Sequence, residues 1–426
     1  MSECRSLIER DSEVLWHPYS PLVGPDPLVV QRAEQEFLWL EGERKIVDLI
    51  SSWWVNLHGH GHPHICKRIA EQIQTIDHVI FAGFTHQPAI ELAERLLRHL
   101  PAGQERIFFS DNGSTAVEVA IKMAIQYWRD ENQDRKLIAV LSDSYHGDTV
   151  GAMSVSARGL FTDPFRDLLF DVVVLPRPES GTQEFLDALR SALTSNRLAA
   201  FIYEPLVQGA AGMKFMDAEA LNQGIELCKQ HGVLCIADEV MTGFGRTGRW
   251  FASDYMSSAP DLICLSKGIT GGVMPLGATS CCALVADKFR SSDRSKSFFH
   301  GHSYTGNPLA CAVGLASLDL LERQQTWDDI ERISARHRQA ALELVGFNTI
   351  SEVRTLGTIL ALNFKSSSAG YLNSLGPKLY SFFMSRDLLI RPLGNVVYLM
   401  PPYCTSNESL ERGYQALREA AAKGDF

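Results

Sequence analysis

Short apolar runs alternate with segments of helical periodicity through the middle of the chain. The runs are four or five residues long and occupy positions 106–109, 137–141, 172–175, 199–203, 233–237 and 262–265. Continuous apolar runs of this length, separated by helices, are typical of strands that are buried on both faces of a parallel sheet. The pattern therefore predicts an α/β fold with a mostly parallel central sheet.

The pattern differs on either side of this region. Strands are predicted at 37–40 and 46–49, a helix at 86–100, a long apolar-periodic helix at 310–321, and strands at 388–391 and 396–400. We expect residues 1–55 and 309–426 to form a smaller α+β domain together, with a large cofactor-binding domain over 56–308.

Composition narrows the class of protein. The chain has 426 residues, of which 45% are hydrophobic and 21% are charged, which is ordinary for a folded protein of more than one domain. The formal net charge of −10 argues against a nucleic-acid partner.

No apolar stretch approaches the ~20 residues that span a bilayer, and residues 1–10 are polar. A cytoplasmic protein with no membrane partner is expected.

Cysteine and histidine spacing predicts no metal site. The nine cysteines include no C-x-x-C pair, so they are expected to be reduced thiols. Histidines alternate with other residues at 58, 60, 62 and 64 without acidic or thiol partners between them. A structural loop is the preferred interpretation of that stretch.

Two of the predicted strands end in residues that carry chemistry. Asp238 follows the run 233–237, and Lys267 follows the run 262–265. Open α/β sheets bind ligands at the carboxyl ends of their strands, so the acid and the amine are expected at one site. A buried amine can condense with an aldehyde cofactor, and a carboxylate can keep a pyridine nitrogen protonated. Only one of Asp238 and Glu239 can face that ring, because successive strand residues point to opposite faces.

Each residue alone also has a simpler explanation. Asp238 could cap the next turn, and most lysines are solvated. The glycine turn at Gly113 could be an ordinary helix start with Ser114 or Thr115 as the N-cap, although the same backbone can hold a phosphate. Tyr145 could pack on the surface or stack on a planar ring. Arg391 could form a surface ion pair or bind a substrate carboxylate.

In combination, these motifs resemble the class III, pyridoxal-phosphate-dependent aminotransferases of fold type I over essentially the whole chain. The resemblance is carried by 112–118 (NGSTAVE), 144–147 (SYHG), 238–248 (DEVMTGFGRTG), 266–268 (SKG) and 306–310 (GNPLA). Three further stretches resemble those members of the family that act in biotin synthesis: 15–19 (LWHPY), 52–54 (SWW) and 391–403 (RPLGNVVYLMPPY). Those members transfer an amino group from S-adenosylmethionine to 8-amino-7-oxononanoate.

The resemblance implies pyridoxal 5'-phosphate as the cofactor and a set of roles. Lys267 would bind the cofactor and move the proton, with Tyr19 and Asp238 as further catalytic residues. Asp238 would pair with the ring nitrogen. Val240 and Tyr145 would contact the two faces of the ring. The phosphate would be held by Gly113, Ser114 and Thr115, and by Ser303 of the partner subunit in a homodimer. The implied substrate side comprises Tyr19, Trp53, Trp54, Tyr145, Asp148, Gly301, Arg391 and Tyr398, with Arg391 on the carboxylate.

Two positions depart from the family's usual pattern, and several functions stay open. His302 and Ser303 stand where proline and threonine are usual, and Asn112 stands where serine or glycine is frequent. Ser303 keeps the hydroxyl that a phosphate needs. The alternatives are an aminotransferase for an ω-amino acid or diamine, an aminomutase, and a non-catalytic cofactor-binding module. The amino donor is open between S-adenosylmethionine and lysine.

Overall fold

The computed structural model describes residues 5–179, 183–195, 197–366, 373–424 and 426. The strands are β1 (Val30–Glu34), β2 (Phe37–Leu40), β3 (Lys45–Asp48), β4 (Gln104–Ser110), β5 (Leu137–Leu141), β6 (Val172–Leu175), β7 (Leu198–Tyr203), β8 (Val207–Gln208), β9 (Lys214–Phe215), β10 (Leu234–Asp238), β11 (Leu262–Leu265), β12 (Gly277–Cys282), β13 (Ile350–Leu356), β14 (Ile359–Phe364), β15 (Leu388–Leu389) and β16 (Val396–Leu399). A separate left-handed turn occupies Ser51–Trp54.

The α-helices connect and cover these strands. They are α1 (Leu7–Val14), α2 (Pro63–Ile73), α3 (Gln87–His99), α4 (Gly113–Asp130), α5 (Val150–Ser154), α6 (Glu184–Leu193), α7 (Ala218–Gln230), α8 (Ala283–Ala286), α9 (Pro308–Leu321), α10 (Gln324–Leu344), α11 (Leu375–Met384) and α12 (Asn407–Lys423). Short 3-10 helices occupy Asp163–Leu168, Ala252–Tyr255, Lys267–Thr270, Asp287–Phe289 and Arg294–Lys296. Within the described ranges, no helix is both long enough and apolar enough to cross a bilayer.

The central sheet has seven strands in the order β4-β12-β11-β10-β7-β5-β6. All six apolar runs predicted from the sequence lie in it, which confirms the α/β class. Neighbouring strands are parallel except at β12, which is antiparallel to both β4 and β11. The sequence pattern does not predict β12, because its residues include only one β-branched side chain, Thr279, and no aromatic one.

The sheet is buried on both faces. Every residue of β7, β10 and β11 is buried. Alternate residues of β7 enter different cores, since Phe201 and Tyr203 pack in one cluster and Ala200 and Ile202 in another. This double burial explains why these strands appear as continuous apolar runs without polar alternation.

Segments from the two ends of the chain share a second sheet, of order β1-β2-β3-β15, in which β15 runs parallel to β3. A third, antiparallel sheet contains β13, β14 and β16. The sequence analysis placed helix α9 in the smaller domain. The helix packs on α2, α3 and the 3-10 turn at Lys267, which all lie in the predicted large domain. This packing favours a domain boundary beyond α9, and the division at 55 and 308 stays a prediction.

Candidate active site

A cavity of about 410 Å³ opens at the carboxyl ends of β10 and β11. This volume is typical of small-molecule sites. The wall combines segments that are far apart in sequence: Tyr19, Trp53, Trp54, Val55, Asn112, Gly113, Ser114, Tyr145, His146, Gly147, Phe161, Glu204, Ala210, Asp238, Val240, Met241, Thr242, Ser266, Lys267 and Leu393. It includes the predicted acid, amine, glycine turn and aromatic side chains.

Lys267 projects into this cavity from the turn after β11. Its backbone has a φ of +45°, in the left-handed region. The amine nitrogen lies 4.6 Å from the centroid of the Trp54 ring. Burial lowers the pKa of Lys267 to about 8, although the carboxylates of Asp238 and Glu204 oppose the shift. A substantial neutral fraction near physiological pH makes this amine a competent nucleophile and base.

Asp238 ends β10 and is held rigidly. Its Oδ2 lies 2.7 Å from Nδ1 of His146, and its Oδ1 accepts a 3.1 Å hydrogen bond from the backbone N–H of Val240. Both side chains of the His146 contact are buried. The carboxylate is therefore presented to the cavity in one orientation.

Glu239, the next residue, points away from the cavity. Its carboxylate accepts hydrogen bonds from the N–H groups of Ala252 (3.1 Å) and Ser253 (2.6 Å) and from the Thr242 hydroxyl. Burial raises the pKa of Glu239 to about 7. As strand geometry requires, only Asp238 of this pair lines the cavity.

The glycine turn before α4 forms the other end of the cavity. Asn112 is the N-cap of α4, because its Oδ1 accepts from the Thr115 N–H at 2.9 Å while the Thr115 hydroxyl accepts from the Asn112 N–H at 3.2 Å. The sequence-based alternative of Ser114 or Thr115 as the cap is therefore wrong. Thr115 is engaged in this cap and lies outside the cavity. The N–H groups of Gly113 and Ser114 are the first of the helix and have no acceptor within it.

Close packing around the turn leaves no room for side chains at two glycines. A Cβ on Gly113 would lie 2.8 Å from Cγ1 of Val240, and one on Gly147 would lie 2.0 Å from Oγ of Ser114. Gly147 also has a φ of +128°. The Ser114 hydroxyl accepts a hydrogen bond from the Asp148 N–H at 3.2 Å. The turn thus exposes backbone N–H groups and a hydroxyl on a concave surface that suits an anion.

Tyr19, Tyr145 and Asp148 form a hydrogen-bonded group at the mouth of the cavity. The Tyr145 hydroxyl donates to Oδ2 of Asp148 at 3.0 Å and lies 3.2 Å from the Tyr19 hydroxyl, which also donates to Asp148. Desolvation and these contacts raise the pKa of Tyr145, so its hydroxyl stays protonated. Asp148 does not itself line the cavity, and it reaches the site through the two tyrosines.

Arg391 and Tyr398 contact the tryptophans of the cavity wall. The exposed Arg391 guanidinium lies 4.8 Å from the centroid of the Trp53 ring. The buried Tyr398 hydroxyl accepts a 2.9 Å hydrogen bond from the Trp54 indole N–H. Gly301 and Ser303 are exposed and lie outside the cavity of their own chain.

Two charged or titratable wall residues, His146 and Glu204, had no role in the sequence analysis. His146 stands beside Tyr145 in a motif that was quoted only as a resemblance. Glu204 follows β7, and its carboxylate accepts from the N–H groups of Tyr145 (3.1 Å) and Gly209 (2.9 Å). Burial raises the pKa of Glu204 to about 7. An acid directly after a predicted parallel strand was the available signal for Glu204.

The histidine-rich loop makes pairwise contacts. His58, His60 and His64 contact Ser317, Asp48 and Asp319 respectively, at 3.1, 3.1 and 2.7 Å. Among the residues that the structure describes, no group of three or more histidine, cysteine, aspartate or glutamate side chains is placed to hold a metal ion.

Relatives share both sequence and fold with this chain. A Synechococcus elongatus protein named adenosylmethionine-8-amino-7-oxononanoate aminotransferase is 46% identical over 415 residues, covering 95% of this chain and 97% of the relative. A Helicobacter pylori protein of the same name is 36% identical over 430 residues, covering 97% of each chain.

Solved structures agree with these sequence matches. The Methanocaldococcus jannaschii adenosylmethionine-8-amino-7-oxononanoate aminotransferase superimposes with a TM-score of 0.93 at 32% identity, covering 99% of each chain. An amine transaminase from an uncultivated Pseudomonas species, in its PLP-bound form, superimposes with a TM-score of 0.89 at 30% identity, covering 97% of this chain and 99% of that one. The sequence profile of the family described as aminotransferase class-III matches residues 19–421, and the chain belongs to that family.

Proposed function

We propose that this protein transfers an amino group from S-adenosylmethionine to the ketone of 8-amino-7-oxononanoate, giving 7,8-diaminononanoate for biotin synthesis. The two substrates would react in turn, in a ping-pong sequence. The observation that carries the proposal is the meeting of the Lys267 amine and the immobilised Asp238 carboxylate in one cavity. Relatives named for this activity match nearly the whole chain.

The cavity fits pyridoxal 5'-phosphate, the cofactor of class III aminotransferases. The Gly113 and Ser114 N–H groups suit its phosphate, Asp238 suits its ring nitrogen, and Lys267 suits its aldehyde. When bound, this group supplies an electron sink for the carbon that loses a proton. A Cβ at Gly113 would fill part of the turn, which agrees with a backbone that approaches a ligand closely.

Lys267 is the proposed proton carrier of the reaction. Its amine would hold the cofactor, and as a free base it would take the proton from the donor carbon. A pKa of about 8 allows the amine both to accept and to return that proton near neutral pH. The cation form is also favoured beside the face of Trp54.

Asp238 and its neighbours are proposed to orient the ring. The carboxylate would keep the ring nitrogen protonated, and His146 together with the Val240 N–H keeps the carboxylate in place. Tyr145 and Val240 line the cavity beside Asp238 and are assigned to the two ring faces. Because the carboxylate does not need to reorganise during the reaction, its electrostatic effect is available at every step.

The aromatic end of the cavity is the proposed substrate side. Tyr19, Trp53 and Trp54 supply large apolar surfaces, and Arg391 places an exposed guanidinium beside Trp53 for the substrate carboxylate. Asp148 acts through its hydrogen bonds to Tyr19 and Tyr145, and Tyr398 acts through Trp54.

We also propose a cytoplasmic homodimer. Gly301 and Ser303 would enter the site of the partner subunit, which agrees with their exposure in their own chain. Large side chains on the same loop are exposed as well, since Phe299 is 74% and Tyr304 is 63% accessible. Burial of such surfaces is the usual driving force for dimer formation.

The decisive experiment follows both half-reactions of the purified holoenzyme. S-adenosylmethionine should convert the aldehyde absorbance to that of the amine form, and 8-amino-7-oxononanoate should reverse the change with formation of 7,8-diaminononanoate, detected by mass spectrometry. Lysine, an ω-amino acid and a diamine are the comparison donors. A spectral change with lysine alone would assign lysine as the donor. Absence of 7,8-diaminononanoate with every donor would contradict the proposed acceptor.

A further inference from the structure

The segment that delivers Trp53 and Trp54 to the cavity has a strained backbone. Ser51, Ser52, Trp53 and Trp54 have φ values of +52°, +44°, +73° and +74°. L-residues adopt this left-handed region singly and at a steric cost, so a run of non-glycine residues persists only where the surroundings enforce it. Backbone hydrogen bonds from Trp54 to Ile50 (2.8 Å) and from Val55 to Ser51 (2.9 Å) close the left-handed turn.

A buried polar group enforces this conformation. Asp48 is fully buried, and its Oδ2 accepts a 2.7 Å hydrogen bond from the Ser52 hydroxyl and lies 3.1 Å from Nε2 of His60. Its Oδ1 accepts from the Ile50 N–H at 3.2 Å. The carboxylate therefore holds both the residue before the left-handed turn, Ile50, and the second residue of the turn, Ser52.

His60 extends the same group to the loop after the turn. When Nε2–H donates to Asp48, Nδ1 accepts from the Asn56 side-chain amide at 3.1 Å. His60 is itself fixed by paired backbone hydrogen bonds with Gln35, at 2.7 and 2.9 Å. The direction of each hydrogen bond is thus determined, and the loop is tied to the N-terminal sheet.

The handedness of the turn decides where the tryptophans point. Trp53 contacts Tyr19 and Arg391, with centroid distances of 5.4 and 4.8 Å, and Trp54 lies 4.6 Å from the Lys267 amine. A right-handed turn over the same residues would direct the side chains elsewhere. Loss of the left-handed turn would therefore remove the tryptophans from the substrate side.

We propose that Asp48, Ser52 and His60 are positioning residues of the substrate site. They do not line the cavity, and they act by holding the left-handed turn and thereby the orientation of Trp53 and Trp54. Their effect falls on substrate affinity more than on the chemical step. This inference rests on the proposed function for its kinetic test.

The test compares Asp48→Asn and Ser52→Ala with a control, Asp319→Asn. The control alters another histidine–aspartate contact, His64–Asp319 at 2.7 Å, away from the cavity. The Asp48 carboxylate meets three donors, and an asparagine would place an N–H₂ group against at least one of them and a weaker acceptor against the rest. We expect D48N to raise KM for both substrates about tenfold, with kcat changed less than about threefold. S52A should raise KM about threefold, because it removes one hydrogen bond.

Two spectroscopic readouts separate the outcomes. Cofactor absorbance should be unchanged in D48N and S52A, and the near-ultraviolet circular dichroism of the tryptophans should change in both variants but not in D319N. Unchanged KM values in active D48N and S52A would overturn the positioning role. If D48N does not fold, S52A decides by the same criteria. If the wild type is inactive on both substrates, the proposed function fails, and the circular dichroism comparison alone decides whether these residues hold the turn.

Discussion

The reactivity of this site depends on how the protein desolvates and pairs individual titratable groups. Lys267 and Asp238 meet in one cavity, yet their surroundings differ. Burial dominates at the amine and lowers the pKa of Lys267 to about 8, whereas the carboxylate is paired with His146 and a backbone N–H. The residue types therefore suit the chemistry only in these environments.

Replacement of Lys267 should separate binding from turnover. We expect Lys267→Ala to retain non-covalent cofactor and to lose at least about 10³-fold in turnover, since it removes both the nucleophile and the proton carrier. Steady-state product formation measures the loss. The control Lys288→Ala, which changes a surface lysine paired with Glu131, should leave turnover unchanged. Near-normal turnover in K267A would refute the assignment.

The lowered pKa of Lys267 predicts a pH dependence for cofactor loading. Only the neutral amine condenses, so the rate of reconstitution of the apoprotein should rise with pH and level off above about 8. An ordinary lysine would keep the rate rising to about 10.4. Because Asp238 raises the pKa of Lys267, Asp238→Asn should move the midpoint to lower pH. Stopped-flow absorbance measures these rates, and a midpoint near that of free lysine would contradict the prediction.

Among the elements, helix α4 links stability to cofactor binding at its first turn. Asn112 and Thr115 cap the helix reciprocally, and Gly113 and Ser114 line the cavity whereas Thr115 does not. Neighbouring residues thus have different tasks, although all belong to one motif. The helix N-terminus would contribute its dipole and its first N–H groups to the proposed phosphate site.

This division of tasks predicts opposite phenotypes for adjacent alanine variants. Thr115→Ala should lower the free energy of unfolding by about 1 kcal/mol and leave cofactor affinity nearly unchanged, because it removes half of the cap. Ser114→Ala should weaken cofactor binding about tenfold with little change in stability, because it removes a hydroxyl from a charged ligand. Thermal denaturation and equilibrium dialysis test the pair. The reverse assignment of effects would place the phosphate against Thr115.

For the whole molecule, the active site is an assembly of distant segments. The N-terminal segment supplies Tyr19 and the tryptophans, the central sheet supplies Asp238 and Lys267, and the C-terminal segment supplies Leu393 and Arg391 beside the wall. The parallel pairing of β15 with β3 joins the two ends of the chain. Arg246 also connects the two ends, since its guanidinium donates to the carbonyls of Asn56 (3.0 Å) and Pro401 (2.9 Å).

The proposed dimer predicts complementation between two defective chains. Ser303→Asp should impair cofactor binding by repelling the phosphate in the partner's site. In a heterodimer of S303D and K267A chains, one site combines intact Lys267 with intact Ser303 and should be active. Co-purification with two affinity tags, followed by assay, measures this. Heterodimers no more active than the S303D homodimer would show that Ser303 does not complete the partner's site.

The sequence by itself determined the elements that depend on local patterns. Buried parallel strands appear as short apolar runs, and each of the six runs became a strand of the central sheet. Because ligands bind at the carboxyl ends of such strands, the meeting of Asp238 and Lys267 also followed from the pattern. The glycine turn before α4 was also predicted from its residue types, since glycine lets the backbone approach a ligand closely.

Only the tertiary structure decided features that depend on contacts between distant residues. Strand β12 exists because β4 and β11 offer it partners, not because of its own composition. Asn112 caps α4 and forms hydrogen bonds with Thr115, which lies outside the cavity. The His146–Asp238 pair and the left-handed turn held by Asp48 both require side chains and backbone to meet after folding. No local pattern encodes such contacts, since the energy that stabilises them is released only when the surrounding protein excludes water.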